Sequence, residues 1–132
     1  MNRGRRSRRS GREVPDALRA VTEALVDRKA VDLRVLDLRG LSGVADYFVI
    51  VSGTSVAHVR GMSEHLMAEL APQGIAPHHV EGLTQGRWVL LDYVDFVVHV
   101  FHPEVREFYQ LERLWGDAPV LAATSQDDGS KG

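Results

Sequence analysis

The stretch "VSGTSVAHVRG", residues 51 to 61, places Gly53 and the hydroxyl residues Thr54 and Ser55 between an apolar run and a helix-forming segment. Such a turn can aim backbone N–H groups and a helix N-terminus at a phosphate. A P-loop, however, needs a lysine beside the hydroxyl residue to reach the β- and γ-phosphates, and here Val56 and Ala57 follow. The glycine spacing is not that of a GxGxxG dinucleotide fingerprint either. A weaker alternative is a nucleotidyltransferase-like site, in which a small-residue loop works with paired carboxylates that hold Mg²⁺. The candidates are Asp92 with Asp95, or Asp37 with Asp46. Asp92 and Asp95 flank a two-residue turn and Asp46 opens a strand, so turn chemistry accounts for them better.

The histidines offer a second possible chemistry. His78 and His79 are adjacent in a loop, His58 and His65 lie seven apart on one predicted helix face, and His99 and His102 lie three apart. None of these makes a zinc constellation at a recognised ligand spacing. His99 differs in standing between Val98 and Val100, where a polar ring in an apolar strand must find a hydrogen bond. Without a serine or cysteine partner it reads as a structural or interface histidine rather than a catalytic one. With Cys 0 there is no disulfide, no thiolate metal cluster and no cysteine nucleophile. We therefore expect no metal and no cofactor.

The elements that must position these residues fit one domain, since 132 residues suffice for a single core. Pro15 stands at a tolerated first-turn position, and Leu18, Val21 and Leu25 recur at helical spacing, predicting an amphipathic helix over 15–29. "VDLRVLDL" alternates Val31, Leu33 and Val35 against Asp32 and Arg34, the period of a half-solvated strand. "DYFVIVSG" is apolar without alternation, which fits a central strand covered on both faces. From the capping residue Ser55, the positions Val56, Val59, Met62, Leu66 and Leu70 mark one helical stripe that ends before Pro72. Residues 75–86 leave room for one short strand, and "RWVLLDY" with "DFVVHVF" predicts a hairpin. In "HPEVREFYQLERLW", Pro103 starts a last helix with Val105, Phe108, Leu111 and Trp115 on one face. This order predicts an α/β fold, a mixed sheet of about five strands flanked by helices.

Charge is distributed unevenly between the ends and the body. Arg3, Arg5, Arg6, Arg8, Arg9 and Arg12 all precede the first acid, Glu13, so the remaining 10 basic and 18 acidic residues leave the body at −8. An acidic body is a poor general binder of nucleic acid. Residues 1–14 read as a disordered basic arm that either only solvates the chain or makes salt-sensitive contacts with RNA phosphates. Beyond Pro119 the apolar pattern is lost, and 120–132 reads as a disordered tail. No run approaches the length of a membrane span, and the N-terminus lacks the apolar core of a signal peptide, so a cytoplasmic protein is expected.

Aromatic residues are concentrated late in the chain, at Trp88, Phe101, Phe108, Tyr109 and Trp115, with Arg106, Glu107, Glu112 and Arg113 interspersed. Neighbours on a helix cannot share one face, so with Phe108 inside Tyr109 points elsewhere. A half-exposed tyrosine among arginines and glutamates suits a protein interface or the rim of a core.

Taken together, "DYFVIVSGTSVAHV", "GRWVLLDYVDFVVHVF" and "REFYQLERLWGDAP" resemble the ribosomal silencing factor family, also called Iojap-like proteins, from about residue 15 to residue 119. The resemblance implies a nucleotidyltransferase-like fold without catalysis. It also implies a factor that binds the large ribosomal subunit through ribosomal protein fourteen, blocks joining of the small subunit and represses translation under nutrient limitation. Homodimerisation through part of the same sheet is compatible with the family. In this reading the partner-binding residues are Trp88, His99, Arg106, Tyr109 and Glu112. A nucleotidyltransferase-like enzyme and an RNA-binding module led by the arm stand as alternatives. One departure concerns the hairpin, where the family usually has Gly before the Asp and this chain has Val94 before Asp95. Val resists positive φ, so a longer or type I connection is expected in place of a primed turn.

Overall fold

The computed structural model describes residues 16–41, 43, 45–109 and 119–123. The first helix, α1, runs over 16–27 and buries Leu18, Val21 and Leu25, the stripe its spacing predicts. It closes on Lys29 at φ 61, with the Ala30 N–H donating back to the Leu25 carbonyl. A left-handed residue just past the helix end satisfies carbonyls that would otherwise lack donors.

Strands β1 (Val31–Asp37) and β2 (Tyr47–Ser52) pair antiparallel. Every residue of β2 is buried, as an unbroken apolar run predicts for a strand covered on both faces. Helix α2 (Val56–Leu70) follows, and its Ser55 cap accepts from the His58 N–H. Val59, Met62, Leu66 and Leu70 are buried in α2, while Val56 at the first turn is exposed. A 3-10 turn, Ala71–Gln73, leads to β3 (His79–Glu81), β4 (Trp88–Asp92) and β5 (Phe96–Phe101). Helix α3 (Pro103–Tyr109) and strand β6 (Val120–Ala123) complete the described elements.

The sheet has six strands in the order β3-β4-β5-β2-β1-β6. Only the central pair, β2 and β5, is parallel, so their carboxyl ends, Ser52 and Phe101, lie side by side. The sixth strand lies within the stretch expected to be a tail. Val120 and Leu121 are exposed there, so no apolar alternation betrays the strand, and its pairing with β1 creates it.

The sheet separates two apolar layers. One packs Val49, Val51, Val98, Val100, Val89 and Leu91 against α1 and α2. The other gathers Phe48, Ile50, Val97 and Phe101 with Val105 of α3, and Trp88 and Leu90 lie partly buried against it.

The β4–β5 connection corrects the turn expectation. Tyr93 N–H donates to the Phe96 carbonyl, closing a two-residue loop, and Val94 takes φ 76 despite its branched side chain. Asp95 N–H donates back to the Tyr93 carbonyl, the three-residue bond of a γ-turn. Three bonds hold this conformation: Asp92 Oδ1 accepts from Val94 N–H, and the Asp95 carbonyl accepts from the N–H groups of Asp46 and Tyr47. Tertiary anchoring thus overrides the preference of an isolated valine.

Candidate functional site

The loop that opened the question of phosphate chemistry is closed by its own protein. Gly53 N–H donates to the Phe101 carbonyl at 2.9 Å, and Thr54 N–H donates to His58 Nδ1 at 2.8 Å. Ser55 caps α2, and Val59 N–H already belongs to the helix through the Ser55 carbonyl. The Gly53, Thr54 and His58 amides of this loop and first turn therefore have internal partners. Gly53 is required for packing, because a Cβ there would lie 2.9 Å from Val59 Cγ2.

Two of the candidate carboxylates, Asp37 and Asp92, are likewise committed to turns. Asp37 accepts two bonds from the Arg39 guanidinium, which hold its carboxyl below the usual range. Asp92 caps the Val94 N–H. The rings of five of the six described histidines also have a structural neighbour. His58 Nε2 donates to the Arg28 carbonyl at 2.7 Å and His65 Nε2 lies 3.1 Å from Asp27 Oδ2, so both tie α2 to the end of α1. His79 meets Glu81 at 2.6 Å, and His102 Nδ1 accepts the Glu104 N–H. Among the described residues no group of three His, Asp or Glu side chains could hold a metal ion.

What remains is an aromatic cluster on the second face of the sheet. Trp88 on β4 faces Phe101 on β5, and its indole Nε1 donates to His99 Nδ1 at 3.1 Å. His99 also meets the Phe48 ring edge-on, with centroids 4.6 Å apart, and Trp88 lies 5.0 Å from Phe101. Since Nδ1 accepts, the imidazole is neutral with its proton on Nε2. Burial pushes its pKa down to about 4, consistent with that assignment. His99 is 4 % exposed, whereas Trp88 keeps part of its ring at the surface. The histidine therefore fixes the orientation of a partly buried tryptophan.

Arg106 occupies a different place. It is 7 % exposed, and one guanidinium nitrogen donates to the Asp32 carbonyl at 2.7 Å and to Ser52 Oγ at 3.0 Å. The other lies 3.6 Å from Asp32 Oδ2. Asp32 sits at φ 52 where the β1–β2 register shifts, so Arg106 satisfies a carbonyl released by a bulge. Neither Asp32 nor Ser52 was singled out from sequence, although Asp32 inside an alternating strand with no turn around it was the available signal. Tyr109 ends α3, while Glu112, Leu111 and Trp115 lie outside the described residues. The structure thus unites Trp88 with His99 and joins Arg106 to another part of the fold.

A family model described as "Ribosomal silencing factor during starvation" matches residues 11–131. The chain belongs to that family. Its members regulate translation and are not enzymes. This silencing-factor chain is 43 % identical over 103 residues to ribosomal silencing factor RsfS of Bacillus subtilis, covering 78 % of its own length and 87 % of the relative. It is 34 % identical over 94 residues to the mouse protein named mitochondrial assembly of ribosomal large subunit protein 1, covering 69 % of itself and 41 % of that longer chain. A crystal structure of a Chromobacterium violaceum protein aligns with TM-score 0.75 at 33 % identity, over 77 % of this chain and 85 % of that one. A Bacillus halodurans crystal structure aligns with TM-score 0.73 at 37 % identity, over 82 % and 98 %. The mixed α/β sheet is the family's fold. No helix among the described residues is long and apolar enough to cross a membrane.

Proposed function

We propose that this chain represses translation by binding the large ribosomal subunit through ribosomal protein fourteen and excluding the small subunit. Membership in the silencing family supports the class of activity, and the name of the mouse relative supports the large subunit as the partner. The observation that carries the mechanism is the partly buried Trp88, held by a buried neutral His99 on a face of the sheet. Steric exclusion needs no reactive group, only a rigid surface of roughly 600 to 800 Å² with a few anchors. A tryptophan whose indole N–H already has a partner is prepared as such an anchor, because little side-chain freedom remains to be lost on binding.

In this reading Trp88 contacts the ribosomal protein and His99 positions it, with Arg106, Tyr109 and Glu112 kept as the further contact residues proposed from sequence. The test is co-sedimentation of wild-type protein and Trp88→Ala with separated large subunits, alongside a subunit-joining assay. Wild type should pellet with large subunits and reduce joining. Trp88→Ala should bind at least ~30-fold more weakly, the effect of losing an anchor of ~2 kcal/mol. Normal binding by a folded Trp88→Ala would move the contact elsewhere, and a wild-type protein that ignores large subunits would refute the reading.

A further inference from the structure

Eight lysines and arginines lie among the described residues, and their surroundings divide them. Arg34 and Arg106 pair with Asp32, and Arg39 pairs with Asp37. Among the described residues, Arg28, Lys29, Arg60 and Arg87 are exposed and within ion-pair distance of no carboxylate, and Arg19 on α1 is the other cation of this kind. Four of these five unpaired cations lie at one end of the sheet.

Contacts fix them there. The His58 ring donates to the Arg28 carbonyl, which brings the end of α1 and its Arg28–Lys29 pair to the first turn of α2. Gly86, at φ 71, lies so close to α2 that a Cβ would meet Arg60 Cγ and Val56 Cγ1 at 2.7 Å, so Arg87 follows directly from a contact with the Arg60 stem. The Arg87 carbonyl accepts the His102 N–H just beyond β5, and Gly53 just beyond β2 donates to Phe101. The cations therefore form a rim along the carboxyl ends of the parallel pair, about 14 Å across three strand spacings. Acids near this end are Asp27, which lies 3.1 Å from His65, Asp32, which is engaged by Arg34 and Arg106, Glu64, one helical turn from Arg60, and Glu104. Asp37, Asp46, Asp92 and Asp95 all lie at the opposite end, where β1 and β4 finish and β2 and β5 begin.

We propose that this rim, Arg28, Lys29, Arg60 and Arg87, is a second contact surface and that it binds the phosphate backbone of ribosomal RNA. The proposal rests on ribosome binding as read above and adds an RNA contact that belongs to the folded body rather than to the Arg-rich arm. Charge complementarity selects the occupant, because a line of cations without an ion-pair partner among the described residues, on an otherwise acidic body, matches a polyanion. The contact uses side chains, and the Gly53 and Thr54 amides beside the rim are already bonded internally. Arg87 precedes Trp88, so the RNA-facing rim and the aromatic face adjoin.

The test measures binding of the full chain to purified large subunits across a potassium chloride series, with hydroxyl-radical footprinting of the ribosomal RNA in the same complexes. For Arg60→Glu/Arg87→Glu the slope of log affinity against log salt should fall by about one to two, and a patch of backbone protection should disappear. Arg19→Glu should change neither, and replacing the arm arginines should lower the slope without removing that patch. Unchanged slope and footprint in the double variant would overturn the proposal and leave Trp88-centred binding intact. Weaker binding with an unchanged footprint would assign the rim to an acidic protein and overturn it equally. A wild-type chain that fails to bind subunits would remove the underlying functional reading and this proposal with it.

Discussion

Arg106 donates to the main-chain carbonyl of Asp32 at 2.7 Å, and this bond joins α3 to the irregular start of β1 across 74 positions of chain. The same guanidinium nitrogen reaches Ser52 Oγ, so one side chain ties α3, β1 and β2 together. Replacing it leaves a carbonyl and a hydroxyl without their donor in a buried setting. Arg106→Met should lower stability by about 1 to 3 kcal/mol, with a smaller loss for Arg106→Lys, which keeps one donor. Urea unfolding of the three proteins checks this, and equal midpoints would show that water replaces the clamp.

The bond from Trp88 to His99 carries a pH signature. The folded pKa of His99 lies near 4, below the ordinary histidine value of 6.5, so the unfolded chain takes up the proton first as pH falls. Stability linked to His99 is therefore fully present above pH 6.5, is lost progressively as pH falls from 6.5 to 4, and changes no further below that. The total loss is on the order of 3 kcal/mol. His99→Gln removes this titration, so its unfolding free energy should lie flatter over that window. Tryptophan fluorescence during unfolding at pH 4.5 and pH 7.5 gives the comparison.

Val94 holds φ 76 on an exposed turn where its side chain, 49 % accessible, gains little from packing. A non-glycine residue in this region costs roughly 1 to 3 kcal/mol, and the extra freedom of glycine in the unfolded chain returns about 0.5 to 1 kcal/mol of that. Val94→Gly should thus raise stability by about 1 kcal/mol, while Val94→Ala, still left-handed, should melt close to wild type. A Val94→Gly protein that melts lower would mean that the valine side chain has a packing role.

Gly82 and Gly74 share a left-handed backbone, at φ 79 and φ 78, yet their surroundings differ. A Cβ at Gly82 would overlap the Trp88 carbonyl oxygen, whereas nothing lies within 4 Å of one at Gly74. Gly74→Ala should therefore cost only the backbone term, about 1 kcal/mol, and Gly82→Ala more than about 3 kcal/mol, as the loop must leave β4. Thermal melts of the two variants should separate clearly, and similar melts would show that the 82–87 loop yields without cost.

The legible parts of this fold were those with a strong period or a local cap. The stripe from Val59 to Leu70, the unbroken apolar run of β2, the Ser55 cap and the hairpin of β4 with β5 all reflect interactions within a few residues or a burial pattern along one segment. Strand β6 was not legible because its four residues carry no alternation and become a strand only by pairing with β1. The conformation of Val94 was not legible for the same reason, since its anchors come from Asp92 and from the start of β2.

The sequence by itself determined the α/β class and the silencing family, because apolar period and a set of ordered motifs are properties of the chain read in order. Tertiary structure alone decided what the polar side chains with distant partners do. His58 reads as one of six histidines until the end of α1 arrives beside it, and Arg106 reads as a surface cation until the bulge at Asp32 exposes a carbonyl to it. The physical reason is range: helical and strand periods are set by neighbouring residues, whereas a hydrogen-bond partner 30 or 74 positions away is chosen only when the chain has folded around it.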